Sequence, residues 1–339
     1  MSISPNARIR TPEEIAINAG AQLPRLRLPE SDVFAARALR LRELAAGHAM
    51  RDYLMLMAVV AEAQQARLAH YPAVPLPTEA QADEAAAEGR PLLLATQWPR
   101  DPAWREELHA LLTQVLEKLA SDNPARAGVQ SVLAMQEPAL EQQAERLLAG
   151  ITLSLDMAAA PLIAAGLQLY FTHLLRATGA AQRSPFGIPG DTTRCPCCGS
   201  LPTASVTRVG GGSEGHRYLH CSLCNAEWHM VRVKCTHCLS TGGIQYRALQ
   251  SLAEEGQKPS REPVQAETCD SCHHYLKIVH MDKDVQVEPV ADDLASLTLD
   301  LLVDEEGYER HGVNLLLLFG DSEAGETTEL APETPPGAR

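Results

Sequence analysis

An α+β fold is predicted, with an all-α bundle in the first half, then small strand-built cysteine modules, then a C-terminal helical segment. Three observations predict it. All nine cysteines lie between Cys195 and Cys272. Before them, apolar residues recur at helical spacing, with Ala and Leu dominant and aromatics at only 4%, which suits helix packing. At the Pro/Gly-rich run Ser184-Pro185-Phe186-Gly187-Ile188-Pro189-Gly190 the texture changes, and beyond it the period shifts toward two.

Residues 1–27 are loop-like, broken by Pro5, Pro12 and Pro24. Ser31-Asp32 reads as a helix N-cap, followed by Val33, Phe34, Ala38, Leu41 and Leu44 at helical spacing up to Gly47-His48. A second helix over 50–70 buries Tyr53, Leu54, Met57, Val60 and Ala61, with Met50, Met55 and Met57 filling gaps in the core. Residues 72–91 form a connection with one weak helix over 79–88. Asp101-Pro102 opens a helix to about residue 120 with a cap and a first-turn proline. Asn123-Pro124, Glu137-Pro138 and residues 153–159 start further helices over 124–135, 138–150 and 155–178. This half carries no catalytic triad, phosphate loop or paired-carboxylate motif, and no catalytic residue is assigned.

Short strands follow over 204–209, 216–220 and 227–233, with Gly210-Gly211-Gly212 as a turn. From Val290 the chain turns helical again, with Leu294, Leu297, Leu301 and Leu302 expected on one face. The expected domains are therefore 1–183 helical, 184–234 and 235–289 as two modules, 290–320 helical, and 321–339 as a disordered acidic tail.

Eight cysteines fall in four Cys-x-x-Cys pairs: Cys195/Cys198, Cys221/Cys224, Cys235/Cys238 and Cys269/Cys272. A two-residue gap lets both sulfurs of one turn face the same cation, and two such turns complete a tetrahedral site. Sequential pairing gives one set of Cys195, Cys198, Cys221 and Cys224, and a second of Cys235, Cys238, Cys269 and Cys272. Each is then a tandem zinc-ribbon or rubredoxin-like module; a cross-braced arrangement is the alternative. Pro196 and Gly199 select Cys195 and Cys198 and leave Cys197 spare, with a swap of Cys197 into the set as the other reading. Thiolates suit iron and zinc alike. A closed four-thiolate site has no position for substrate, so its expected contribution is folding, and modules without a large core should unfold when stripped of metal. His216, His220, His229, His237, His273 and His274 read as ordinary strand and loop residues, and Trp228 as packing between strands.

The net charge is −14, which disfavours phosphate backbones and anionic membranes. Between residues 191 and 290 eleven carboxylates face ten basic side chains, so a nucleic-acid-binding ribbon is not favoured. Residues 1–24 show no apolar secretory run, and the uncharged stretch 157–172 is too short for a membrane span. A cytoplasmic location is expected, where paired cysteines bind metals more often than they form disulfides.

The run Arg217-Tyr218-Leu219-His220-Cys221-Ser222-Leu223-Cys224, then Glu227-Trp228-His229 and Val231-Arg232-Val233-Lys234-Cys235, resembles the formate dehydrogenase accessory protein family FdhE. Ala266-Glu267-Thr268-Cys269-Asp270-Ser271-Cys272 with Tyr275-Leu276-Lys277 is similar too, as are Val290-Ala291-Asp292-Asp293-Leu294-Ala295-Ser296-Leu297, Glu306-Gly307-Tyr308 and Asn314. The resemblance is closest over 194–318. It implies a cytoplasmic, non-catalytic maturation factor for respiratory molybdenum formate dehydrogenase. Such a factor binds the catalytic subunit before export and holds two metal ions, iron or zinc, on its cysteine pairs. It leaves homo-oligomerisation open, and a rubredoxin-like iron protein acting on the immature enzyme is the alternative. The acidic tail and Cys197 depart from the family pattern. Asp292, Asp293, Tyr308 and Asn314 are expected to fasten the C-terminal helix rather than to touch a client.

Overall fold

A computed structural model describes residues 23–182, 185–187, 190–210, 215–249 and 262–318. The N-terminal loop up to residue 22, the 211–214 turn, the 250–261 excursion and the acidic tail lie outside the described residues, as do parts of the 184–190 linker.

The helical half begins with a two-residue strand, β1 (Leu26–Arg27), and continues through α1 (Val33–Leu44) and α2 (Arg51–Leu68). It goes on through α3 (Glu79–Glu88), α4 (Ala103–Lys118), α5 (Ala125–Leu133), α6 (Glu137–Ala149) and α7 (Ala160–Ala181). The expected α1 cap is only partly present, because Asp32 makes no side-chain cap bond. The weak helix α3 is capped better than its sequence suggested. Thr78 accepts from the Gln81 amide while Gln81 reaches back to the Thr78 amide, a capping box. Helix α7 is buried on nearly every face for its first four turns, and α2, α4, α5 and α6 pack around it. No helix among the described residues is long and apolar enough to cross a membrane.

The second half supplies β2 (Pro202–Thr207), β3 (Arg217–Cys221), β4 (Glu227–His229), β5 (Ile244–Arg247), β6 (Val264–Cys269) and β7 (His274–His280). Helices α8 (Pro289–Ala295) and α9 (Leu297–Glu305) and strand β8 (Glu309–Arg310) close it. All the strands join one sheet in the order β1-β4-β3-β2-β7-β6-β5, with β8 paired to β7. The two modules meet where β2 and β7 run parallel, Ser205 opposite Ile278. Otherwise the pairing is antiparallel, except for the parallel β7–β8 pair.

Two expectations change. The cysteine modules are not free-standing: β1 from the helical half extends their sheet through Leu26 opposite Trp228. Moreover, Cys195, Cys198, Cys221, Leu223, Cys224 and Trp228 belong to the same apolar core as α1, α2 and α4–α7. Trp228 packs into that shared core, and its indole N–H donates to the Thr192 carbonyl at 2.8 Å. The C-terminal helix is also not continuous. Ser296, at φ −106° and ψ 32°, breaks it into α8 and α9 and resets the phase. Leu299 and Val303 are buried at 3% and 2%, whereas Leu301 and Leu302 are 58% and 45% exposed.

Candidate metal centres

Each cysteine pair sits on a tight turn of the same design. The residue after the second cysteine is left-handed in all four: Gly199 at φ 77°, Asn225 at 57°, Leu239 at 62° and His273 at 54°. The amides of Gly199, Leu239 and His273 close the turn on the carbonyls of Cys195, Cys235 and Cys269 at 2.9, 3.1 and 2.8 Å, and the twist returns the Ser200 and Ser240 carbonyls to accept from the Cys195 and Cys235 amides at 2.9 and 2.8 Å. The amides inside the turn then aim at sulfur. Leu223 and Cys224 donate to Cys221 Sγ at 3.4 Å, and His237 and Cys238 donate to Cys235 Sγ at 3.3 and 3.4 Å. Such donors favour the ionised thiolate over the thiol.

The turns come together in sequential pairs. Cys195, Cys198, Cys221 and Cys224 form one group, and Cys235, Cys238, Cys269 and Cys272 a second, all sulfurs of a group within 4.8 Å of one another. In the first group Cys195–Cys224 and Cys198–Cys221 sulfurs are 3.6 and 3.4 Å apart. In the second, Cys235–Cys272 and Cys238–Cys269 are 3.6 and 3.8 Å apart. Four sulfurs at about 2.3 Å from one tetrahedral ion stand roughly 3.7 Å from each other. The residues therefore fit a tetrathiolate ion in both places, and the donor set suits iron or zinc. Cys197 is buried outside the group, and its carbonyl accepts from the Leu93 amide at 2.9 Å.

Electrostatics separate the two groups. Burial, and then the neighbouring sulfurs, pushes the Cys195, Cys221 and Cys224 thiols well above their usual range. Burial opposes ionisation of Cys198 as well, but hydrogen bonds from Cys195, Cys221 and Cys224 hold it well below. Four buried sulfurs this close ionise together only around a cation. In the second group burial again works against Cys269, and the Ser271 and Cys272 amides overcome it and lower that thiol. This group is also more open: Cys238 is exposed and Cys272 half-buried, whereas all four sulfurs of the first group are buried. A cleft of about 1120 Å³ lined by Leu94, Pro196, Gly199 and Leu315 runs beside the first group, yet Cys195 and Cys198 are each only 1% exposed.

The first group is clamped by residues that the sequence did not single out. Gln168 on α7 donates to the Ser222 carbonyl at 2.7 Å. Asn225 donates to Thr172 Oγ1 at 2.8 Å and accepts from Arg37 at 2.7 Å. Ala95 donates to the Cys198 carbonyl at 2.9 Å. One signal was available: Asn is among the few non-glycine residues that accept a left-handed backbone, and Asn225 directly follows a Cys-x-x-Cys pair.

Of the six histidines read as ordinary, four are brought together in two pairs. The His237 and His274 rings stack at 3.7 Å with a 9° interplanar angle, and His311 meets His237 edge-on at 5.1 Å. His216 and His229 make an edge contact on the other module, and His220 points at Glu227 and Asn225. The four family-like residues of the C-terminal segment make internal contacts. Asp292 takes a two-pronged bond from Arg40 at 2.7 and 2.9 Å. Asp293 receives Lys277, Arg310 and Asn314 at 3.0, 2.7 and 2.9 Å. Tyr308 donates to Asp270 at 2.7 Å.

Family models for FdhE match almost all of the described chain: the N-terminal model over 23–187, the central domain over 194–232 and the C-terminal domain over 233–317. Protein FdhE of Escherichia coli (strain K12) is 36% identical over 302 residues, covering 89% of this chain and 93% of that protein. Protein FdhE of Salmonella paratyphi B is 37% identical with the same coverage. The crystal structure of the FdhE protein from Pseudomonas aeruginosa superposes with a TM-score of 0.78 at 36% identity, covering 88% of this chain and 100% of that one. With three consecutive domain models, relatives above 30% identity and a matching fold, the chain belongs to the FdhE family of formate dehydrogenase accessory proteins.

Proposed function

We propose that the protein is a non-catalytic maturation factor. It binds the catalytic subunit of a molybdenum formate dehydrogenase in the cytoplasm before export, with one iron or zinc ion in each four-cysteine group. One observation carries the non-catalytic part. The first group is closed, since all four sulfurs face each other inside the main core, and a tetrathiolate ion there has no coordination position left for substrate. Its ion acts as a rivet between helices and sheet, so that the outer surface keeps the shape a client recognises. Family membership supports the choice of client.

The test is capture of the formate dehydrogenase catalytic subunit by tagged wild-type protein, beside Cys221→Ser. Wild type retains the subunit and the variant loses most of it. Absence of association with wild type, both aerobically and anaerobically, contradicts the reading.

A second reading rests on the openness of the other group. With Cys238 exposed and Cys272 half-buried, an iron ion there lies close enough to solvent to pass electrons to an immature enzyme. Anaerobic purification with metal analysis and optical spectra separates the two. Zinc at full occupancy in both groups removes the electron-transfer reading.

A further inference from the structure

We propose that His237, His274 and the Cys272 sulfur form a third cation site, with Cys272 bridging to the ion of the second four-cysteine group. This rests on the second group holding an ion, and it goes beyond the maturation role.

Their three donor atoms lie within 4.8 Å of one another. The tautomer of His274 is set by its surroundings. Its Nδ1 stands 2.7 Å from the Cys272 carbonyl oxygen, which only accepts, so Nδ1 carries the proton and donates. That leaves Nε2 free to offer its lone pair, the arrangement typical of a metal-ligating histidine whose other nitrogen is tied to a backbone carbonyl. Nε2 in turn faces Glu309 Oε2 at 3.5 Å. That carboxylate stands where it would face an ion held on Nε2. The pairing is built into the fold, because the parallel register of β7 and β8 sets His274 opposite Glu309.

The stack brings the His237 ring to 3.7 Å from that of His274, and His311 walls its far side at 5.1 Å. His237 is exposed and Cys272 half-buried, so the His237 ring has room to turn out of the stack, as it must for both in-plane lone pairs to converge on one ion. Charge favours the step. Four thiolates around a dication leave about two negative charges in excess, which a neighbouring dication with neutral imidazoles offsets. Two imidazoles, a thiolate and a carboxylate suit a borderline divalent cation, zinc foremost, rather than magnesium or calcium. Unlike the closed groups, this site admits water and exchanges its ion.

Intact protein with both four-cysteine groups filled by zinc is dialysed against Zn²⁺, and a second portion is titrated with Co²⁺ as an optical probe. Both are repeated with the His237→Ala/His274→Ala double variant and with His237→Ala alone. Wild type takes up one further equivalent, and Co²⁺ in that site shows sulfur-to-cobalt charge transfer from Cys272. The double variant keeps two tightly held ions and loses the third equivalent and the charge-transfer band, and the single variant binds the third ion at least tenfold more weakly. Two tight ions in wild type with no third overturn the proposal. Charge transfer that survives in the double variant also overturns it, by assigning cobalt to exchange within a four-cysteine group. Failure to find two tight ions in either form counts against the four-cysteine reading itself, and so against this site as well.

Discussion

Asn225, Gln168 and Arg37 hydrogen-bond the first cysteine group to the helices. The two groups should therefore respond differently to loss of one thiolate. Cys221→Ser and Cys269→Ser each drop metal content by about one ion per chain. Cys221→Ser lowers the melting of the helical half, measured by circular dichroism, further than Cys269→Ser does, because its sulfur lies in the shared core. Equal effects on helix melting would contradict that difference in burial. A second residue-scale expectation concerns His280, whose imidazole is pushed down to about 4 by burial. The folded state resists protonation there, so its share of stability is whole above pH 6.5 and declines as pH falls toward 4. At pH 5 the loss is about 2 kcal/mol, and denaturant titrations at pH 7 and 5 should show His280→Gln losing that much less than wild type. An unchanged pH slope in the variant would refute the assignment. The cysteine spacing made both ligand groups legible from sequence alone. The left-handed residues at 239 and 273 were not, because neither is a glycine or an asparagine.

At the scale of elements, the C-terminal helices are fixed by buried charge. Lys277 on β7 meets Asp293 and Asp300 at 3.0 and 2.6 Å, and Arg310 on β8 meets the same two carboxylates at 2.7 and 3.3 Å. Breaking a buried pair from one side leaves the other charge stranded, so Asp293→Ala should cost about 3–5 kcal/mol. Leu301→Gln, on the exposed face of α9, should stay within about 0.5 kcal/mol of wild type. A large loss for Leu301→Gln in denaturant unfolding would mean that α8 and α9 form one continuous helix after all. Gly312 tests the close approach of β8's exit to the sheet. A Cβ there would stand 2.7 Å from the Pro202 carbonyl oxygen and 3.0 Å from that of Thr203, backbone atoms that cannot swing away, so Gly312→Ala should be destabilising. The helices of the first half were readable from apolar spacing and proline starts, and α1, α2 and α4 fall within a few residues of their expected bounds. The break at Ser296 was not readable, because serine is tolerated within helices and only the packing of Lys277 against Ser296 and Asp293 settles the phase.

Across the whole molecule, two cysteine modules and a helical bundle are joined by one sheet and a shared apolar core. Long-range pairing explains why this was hidden: the β2–β7 contact joins residues more than seventy positions apart, and no local pattern announces a parallel crossing. Arg37 to Glu288 and Arg40 to Asp292, at 3.0 and 2.7 Å, tie α1 to α8 across some 250 residues. Stripping metal should therefore loosen more than two small ribbons. A structural tetrathiolate ion contributes on the order of 10 kcal/mol, and strong chelators should unfold helices and sheet in one transition seen by both far-ultraviolet circular dichroism and tryptophan fluorescence. The most direct check of the eight-thiolate account is metal analysis, with thiol counting, on protein purified anaerobically and gel-filtered without added metal. The account predicts two ions per chain, with the eight paired cysteines resisting alkylation until a chelator is added. Far fewer than two ions, with those eight thiols free to react in the native protein, would contradict it.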